Sequence, residues 1–145
     1  MARRDIFHET VKQVLIKDGW TITHDPYVLA FGAHKLYIDL GAERPLAAEK
    51  DDRKIAVEIK SFIGDSEVDD LERALGQYNL YTSLLGRSEP ERKLYLAIST
   101  EAYDGIFNTP LGRVAIEDYR ISLLVFDEDQ EVVSRWIDSP SIGKS

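Results

Sequence analysis

The chain has 145 residues, a net charge of −8, a pI near 4.9, 43% hydrophobic and 30% charged residues, and no cysteine. These values fit one ordinary globular core, expected over residues 1–138 with a short tail at 139–145, and they exclude disulfides and thiolate metal sites. No apolar run approaches the roughly 18 residues of a membrane span, and the opening Met-Ala-Arg-Arg-Asp leads into no signal-peptide core, so a cytoplasmic protein is expected.

In chain order, the first helix is expected from Arg3 to about Lys17, with Phe7, Val11, Val14 and Leu15 on one face. Asp18-Gly19 should stop it, because glycine takes the left-handed geometry of a helix end. Trp20–Thr23 reads as a short strand and His24-Asp25-Pro26 as a turn. A second strand is expected over Lys35–Leu40, with Leu36, Ile38 and Leu40 on one side and Tyr37 and Asp39 on the other. Gly41 to Asp52 reads as a loop. Lys54–Lys60 is the clearest strand: Ile55, Val57 and Ile59 face one way, and Ala56, Glu58 and Lys60 the other.

Ser66-Glu-Val-Asp69 has the form of a capping box, opening a helix expected to reach about Leu85-Gly86 through Val68, Leu71, Ala74, Leu75 and Tyr78. A strand should follow at Lys93–Ile98. Thr100–Tyr119 reads as helix, interrupted where Thr109 caps a new start with Pro110 in first position. Arg120–Phe126 gives another strand, Val132–Ile137 an edge strand, and Asp138–Ser145 a frayed tail. A helix crossing between the Ile55 and Leu94 strands implies an α/β fold whose mixed β-sheet is flanked by helices.

Charge cuts against a simple nucleic-acid binder, since proteins that hold duplex DNA by its phosphates usually carry a basic face. Arg3, Arg4, Lys12 and Lys17 cluster, but Asp65, Glu67, Asp69, Asp70 and Glu72 form an opposing block that fits the first turn of a helix. An acidic chain can still act on DNA if a divalent cation or a partner offsets its charge.

The chemistry-bearing pattern is Asp39 with Glu58-Ile59-Lys60. Metal-dependent phosphodiester cleavage needs oxygen ligands held on a rigid sheet and a nearby cation for the charge that builds on the phosphate. Asp39, Glu58 and the Ile59 carbonyl can supply the oxygens, and Lys60 the amine. E-x-K alone is also the pattern of an ordinary hydrated strand face. Helices over both faces of the sheet would instead put these charges in a cleft, where they must be paired or coordinated. His8, His24 and His34 have no partner at ligand spacing, and Trp20, Tyr95 and Phe126 read as core. Neither a phosphate-binding glycine loop nor a nucleophile elbow is present.

Tyr37-Ile-Asp39, then Ile55-Ala-Val-Glu-Ile-Lys60, then a helix bearing Gln77-x-x-x-Tyr81, resembles the PD-(D/E)XK superfamily and the Q-x-x-x-Y element of its RecB-like branch. More narrowly, the chain from Asp5-Ile-Phe-His-Glu-Thr10 through Tyr119–Asp127 resembles XisH, the cyanobacterial fdxN-element excision controlling factor family. The resemblance implies a restriction-endonuclease-like fold and a role in recombinase-driven excision of a DNA element, with an XisI companion protein. It implies Asp39 and Glu58 as ligands of Mg²⁺ or Mn²⁺, Lys60 as catalytic amine, and Gln77 and Tyr81 as supporting residues. Glu9 would match the superfamily's first-helix acid, although it falls opposite the apolar face of that helix. The proline of the superfamily motif is replaced by Ile38. A homodimer is a further expectation. Three readings follow from the sequence: a Mg²⁺-dependent DNA endonuclease, a non-cleaving factor that binds DNA or a recombinase, and an interaction subunit of a paired system.

Overall fold

The computed structural model describes residues 5–45 and 53–139. Helix α1 (His8–Lys17) is followed by β1 (Thr21–His24), β2 (Tyr27–Phe31), β3 (His34–Ile38), β4 (Leu40–Arg44) and β5 (Arg53–Ile59). Then come α2 (Glu67–Ser88), β6 (Arg92–Ser99), α3 (Thr100–Asp104), α4 (Pro110–Tyr119), β7 (Leu123–Asp127) and β8 (Val132–Ile137). Six strands form one mixed sheet in the order β1-β4-β5-β6-β7-β8, parallel at β5–β6 and β6–β7 and antiparallel elsewhere. This is a restriction-endonuclease-like α/β arrangement, with helices on both faces of the sheet.

Alternation along β5 sets the two layers. Ile55, Val57 and Ile59 pack with Val11, Val14 and Leu15 of α1, together with Trp20, Tyr95 and Phe126. Ala56 belongs to the opposite layer, with Leu71, Ala74, Tyr78 and Tyr81 of α2 and with Ala102, Phe107 and Ala115. Burying each large aliphatic side chain in these layers contributes roughly 1.5–3 kcal/mol.

Local signals set the helix ends. The Ser66 hydroxyl accepts from Asp69 N–H at 3.2 Å to open α2. The Thr109 hydroxyl accepts from Gly112 N–H at 3.1 Å, with Pro110 in first position of α4. Gly19 takes φ +93° just past α1. The second helix runs to Ser88, slightly beyond Leu85-Gly86, and Val68 stays exposed rather than joining its buried face.

The structure departs from the sequence expectation most between Pro26 and Arg44. Tyr27–Phe31 is a strand, and the single strand expected over Lys35–Leu40 is divided at Asp39. Its first part pairs with β2 in a separate hairpin, from Tyr27 opposite Ile38 to Phe31 opposite His34. Its second part joins the main sheet as β4, with Leu40 opposite Val57 and Arg44 opposite Arg53. Ile38 therefore packs in the α2 layer and Leu40 in the α1 layer, not side by side on one face. The expected loop at Gly41–Asp52 is strand as far as Arg44, and positions 46–52 lie outside the described residues.

Helix α1 begins at His8 rather than Arg3, because Asp5 makes a turn in which its Oδ1 accepts Phe7 N–H at 2.9 Å. Arg3 itself lies outside the described residues. At the other end, Asp138 is not frayed: it accepts hydrogen bonds from Lys93 and Tyr95, and Ser139 N–H donates to Ser122 at 3.0 Å. Residues 140–145 lie outside the described set.

Candidate active site

The C-terminal end of β5 and the seam between β3 and β4 meet at one point. There the Ile59 N–H donates to Asp39 Oδ2 at 2.8 Å, and the Asp39 N–H points back at Glu58 Oε1 at 3.4 Å. The ladder between β4 and β5 ends at Leu40–Val57. The Asp39 carboxylate thus accepts a β5 amide just beyond the last paired residues. Lys60 directly follows β5, its N–H held by the Ala97 carbonyl at 3.1 Å and its Nζ 3.8 Å from Glu58 Oε2.

Glu58 is only 6% exposed. Burial first, and then the neighbouring Asp39 charge, push its carboxyl up to about 8, against the opposing pull of Lys60. Burial also raises the Asp39 carboxyl, though the Ile59 N–H, Glu58, His8 and Lys60 all act to lower it. Two carboxyls in hydrogen-bond contact and out of water hold one proton between them more readily than two negative charges.

Tyr81 on α2 is buried within electrostatic reach of this pair, and its hydroxyl is pushed up to about 12, first by burial and then by the charges of Glu58 and Asp39. Gln77, one turn earlier on the same helix, has a buried Oε1 with no hydrogen-bond partner. A buried amide oxygen in that state is costly to the fold, on the order of 1–3 kcal/mol. The structure therefore brings Asp39, Glu58, Lys60 and Tyr81 together, and leaves Gln77 on α2 with an unmet acceptor.

Glu9 goes elsewhere. Its exposed carboxylate groups with His8 and Asp25, whose ligand atoms all lie within 4.8 Å of one another, and not with Asp39 and Glu58. The reason is the helical wheel: Glu9 points out from α1 while His8 points in.

His8 is the residue that sequence reasoning missed. It is 4% exposed, and its Nε2 lies 2.7 Å from Asp25 Oδ1, with Lys12 Nζ 2.8 Å from the other Asp25 oxygen. Burial works to raise the Asp25 carboxyl, but hydrogen bonds from Lys12 and His8 outweigh it and hold it low. The Nδ1 atom of His8 is buried without a partner, and the ring is close enough for its charge to act on Asp39. Ligand spacing could not reveal a partner 17 residues away, but the His8–Val11–Leu15 spacing does place a polar ring on the apolar face.

The loop after β5 is pinned on both sides. Ser61 N–H donates to Asp5 Oδ2 at 3.1 Å and Gly64 N–H to Asp70 Oδ2 at 3.2 Å. Between them Phe62 adopts φ +56° and packs edge-on against Phe107. Lys60 opens onto a crevice of about 180 Å³ that also touches Asp5, Phe62 and Arg73. A larger groove of about 740 Å³ lies at the far end of α2, between Tyr78, Arg92 and Ser122, and touches none of the clustered residues.

The family model described as XisH protein matches residues 1–134. The chain belongs to the XisH family. An XisH family protein from Nostoc punctiforme, solved by crystallography, is 38% identical, with a TM-score of 0.84 over 92% of this chain and 100% of that one. A crystal structure of an fdxN element excision controlling factor protein from Anabaena variabilis is 39% identical, with a TM-score of 0.83 over 93% of this chain and 100% of that one. No curated protein matches. Among the described residues of this XisH-family chain, no helix is long and apolar enough to cross a membrane.

Proposed function

We propose that this chain is an excision controlling factor that acts on DNA through a divalent-metal phosphodiester-cleaving centre at the end of β5. The excision role is carried over from the Anabaena variabilis relative. The observation that supports the chemistry is the Asp39–Glu58 carboxyl pair, held out of water beside Lys60. Two carboxyls buried side by side, each with its proton affinity raised by burial, form a donor set that a hard divalent cation relieves, so these residues fit Mg²⁺ or Mn²⁺.

Asp39, Glu58 and the Ile59 carbonyl would hold the cation. When bound, the metal polarises a phosphate oxygen and lowers the pKa of an attacking water. Lys60 offsets negative charge building on the phosphate. Tyr81 and Gln77 orient the scissile group or its water, and the unmet Gln77 oxygen is suited to accept from that water. DNA, a recombinase and an XisI-like companion are the partners this reading calls for, in a cytoplasmic setting, with a homodimer as the assembly.

The test is nicking of supercoiled plasmid in Mg²⁺ or Mn²⁺, with and without the companion protein. Wild type should nick, and Glu58→Ala or Lys60→Ala should lose at least about 100-fold in rate. No nicking in either cation, together with no cation binding by calorimetry, would sink the reading. One observation favours a second reading, a non-cleaving factor on the same scaffold. Asp65, Glu67, Asp69, Asp70 and Glu72, which follow the site closely in the chain, form no ion pair among the described residues, and such a surface repels phosphate. Metal binding without nicking would select that alternative.

A further inference from the structure

The hairpin β2–β3 stands apart from the main sheet, and its composition differs from the rest of the chain. None of the chain's 26 Asp and Glu residues falls between Tyr27 and Ile38, while His34 and Lys35 do. One face is anchored: Leu29 and Ile38 are buried in the α2 layer, and Tyr27 donates to Glu89 at 2.6 Å while the Arg92 guanidinium sits 4.8 Å from its ring centroid. The other face is bare. Val28 and Tyr37, paired across the ribbon, are 48% and 50% exposed, and Lys35 makes no ion pair among the described residues. Phe31 is also exposed, beside the Gly32-Ala33 turn, where Gly32 takes the φ of +59° that a two-residue hairpin loop requires.

Resting on the DNA-directed reading above, we infer that this hairpin is an arm that enters a groove of duplex DNA next to the carboxylate pair. A two-stranded ribbon fits the major groove, and five residues per strand give it a reach of about 17 Å against a groove depth of roughly 8.5 Å. In a chain of charge −8, an acid-free ribbon with an exposed lysine is the segment a polyanion approaches at least electrostatic cost. Its second strand runs straight into Asp39, so Tyr37 lies only about 7 Å along the backbone from the candidate metal ligand. Lys35 meets phosphate, and Val28 and Tyr37 meet base edges or sugars.

The experiment is fluorescence anisotropy with a labelled linear duplex and with the matching single strand, in Ca²⁺ so that no cleavage occurs. Lys35→Glu with Tyr37→Thr, both exposed and both compatible with a strand, should leave the thermal midpoint unchanged and weaken duplex binding about tenfold. Lys35→Ala alone should lower the salt slope by about one. Wild-type duplex binding that the variants share would overturn the arm and leave the nuclease reading intact. Absence of duplex binding by wild type, tighter binding of the single strand, or variants that change only self-association in sedimentation would each overturn it too. Duplex binding that depends on the arm, in a protein that never nicks, would uphold the arm and remove the nuclease.

Discussion

Glu58 is a liability to the fold that the candidate chemistry explains. The folded chain holds its proton to about 8, whereas the unfolded chain releases it near 4.5. The folded-state pKa is therefore raised: its contribution to stability is fully present below pH 4.5 and is lost as pH rises toward 8. Glu58→Gln keeps the shape and removes the charge. Its thermal midpoint should match wild type at acid pH and exceed it above pH 8 by on the order of 1–2 kcal/mol, or roughly 4 °C for each kcal/mol. Calorimetry across pH checks this, and a variant less stable than wild type at alkaline pH would contradict it. At this scale much of the site was legible. Strand period put Glu58 and Lys60 on one face, and helical spacing put Gln77 and Tyr81 on another. His8 was not legible, because its meaning depends on Asp25, brought to it by the turn at Pro26.

Among the elements, the capped helices were the easiest to read, since Ser66 and Thr109 act within three residues of themselves. The divided strand was the hardest. Apolar and polar residues alternate from Lys35 to Leu40 without a break, and nothing in that period records that the pairing partner changes at Asp39. Tyr27–Phe31 lacks alternation altogether, so it offered no period to follow. Helix α4 has its own constraint at Gly112. A Cβ there would meet the Ile106 carbonyl oxygen at 2.2 Å and Phe107 Cα at 2.5 Å, both backbone atoms that cannot swing aside. Gly112→Ala should cost about 2 kcal/mol or more in urea unfolding, by prying α4 from the turn before it. An unchanged midpoint would mean that this turn is softer than its contacts indicate.

For the whole molecule, two opposing carboxyl populations set the response to pH. Glu89 is held low: burial works against it, but hydrogen bonds from Arg92 and Tyr27 prevail. Asp25 and Asp138 are held low in the same way by their cationic partners. Their contributions are present above the ordinary carboxyl range and are lost as pH falls through the lowered folded values. Glu58 acts in the opposite sense from 4.5 upward. Without metal, stability should therefore peak near pH 5, on the acid side of neutrality, and saturating Mg²⁺ should move the peak upward. A metal-free profile that is flat from 5 to 8 would refute the assignment of Glu58.

The seam at Asp39 has a mechanical meaning. This one residue lies between the end of the hairpin and the start of β4 and carries a carboxylate fastened to the β5 backbone, so it joins two sheets that share no strand pairing. A single backbone step, from Ile38 to Asp39, separates the hairpin from that carboxylate. If the hairpin takes duplex and the carboxylate takes a cation, as proposed above, then any change that one makes in the other's affinity is returned by the same factor. Were that coupling positive, such a chain would hold its ion weakly while free and firmly once seated on duplex.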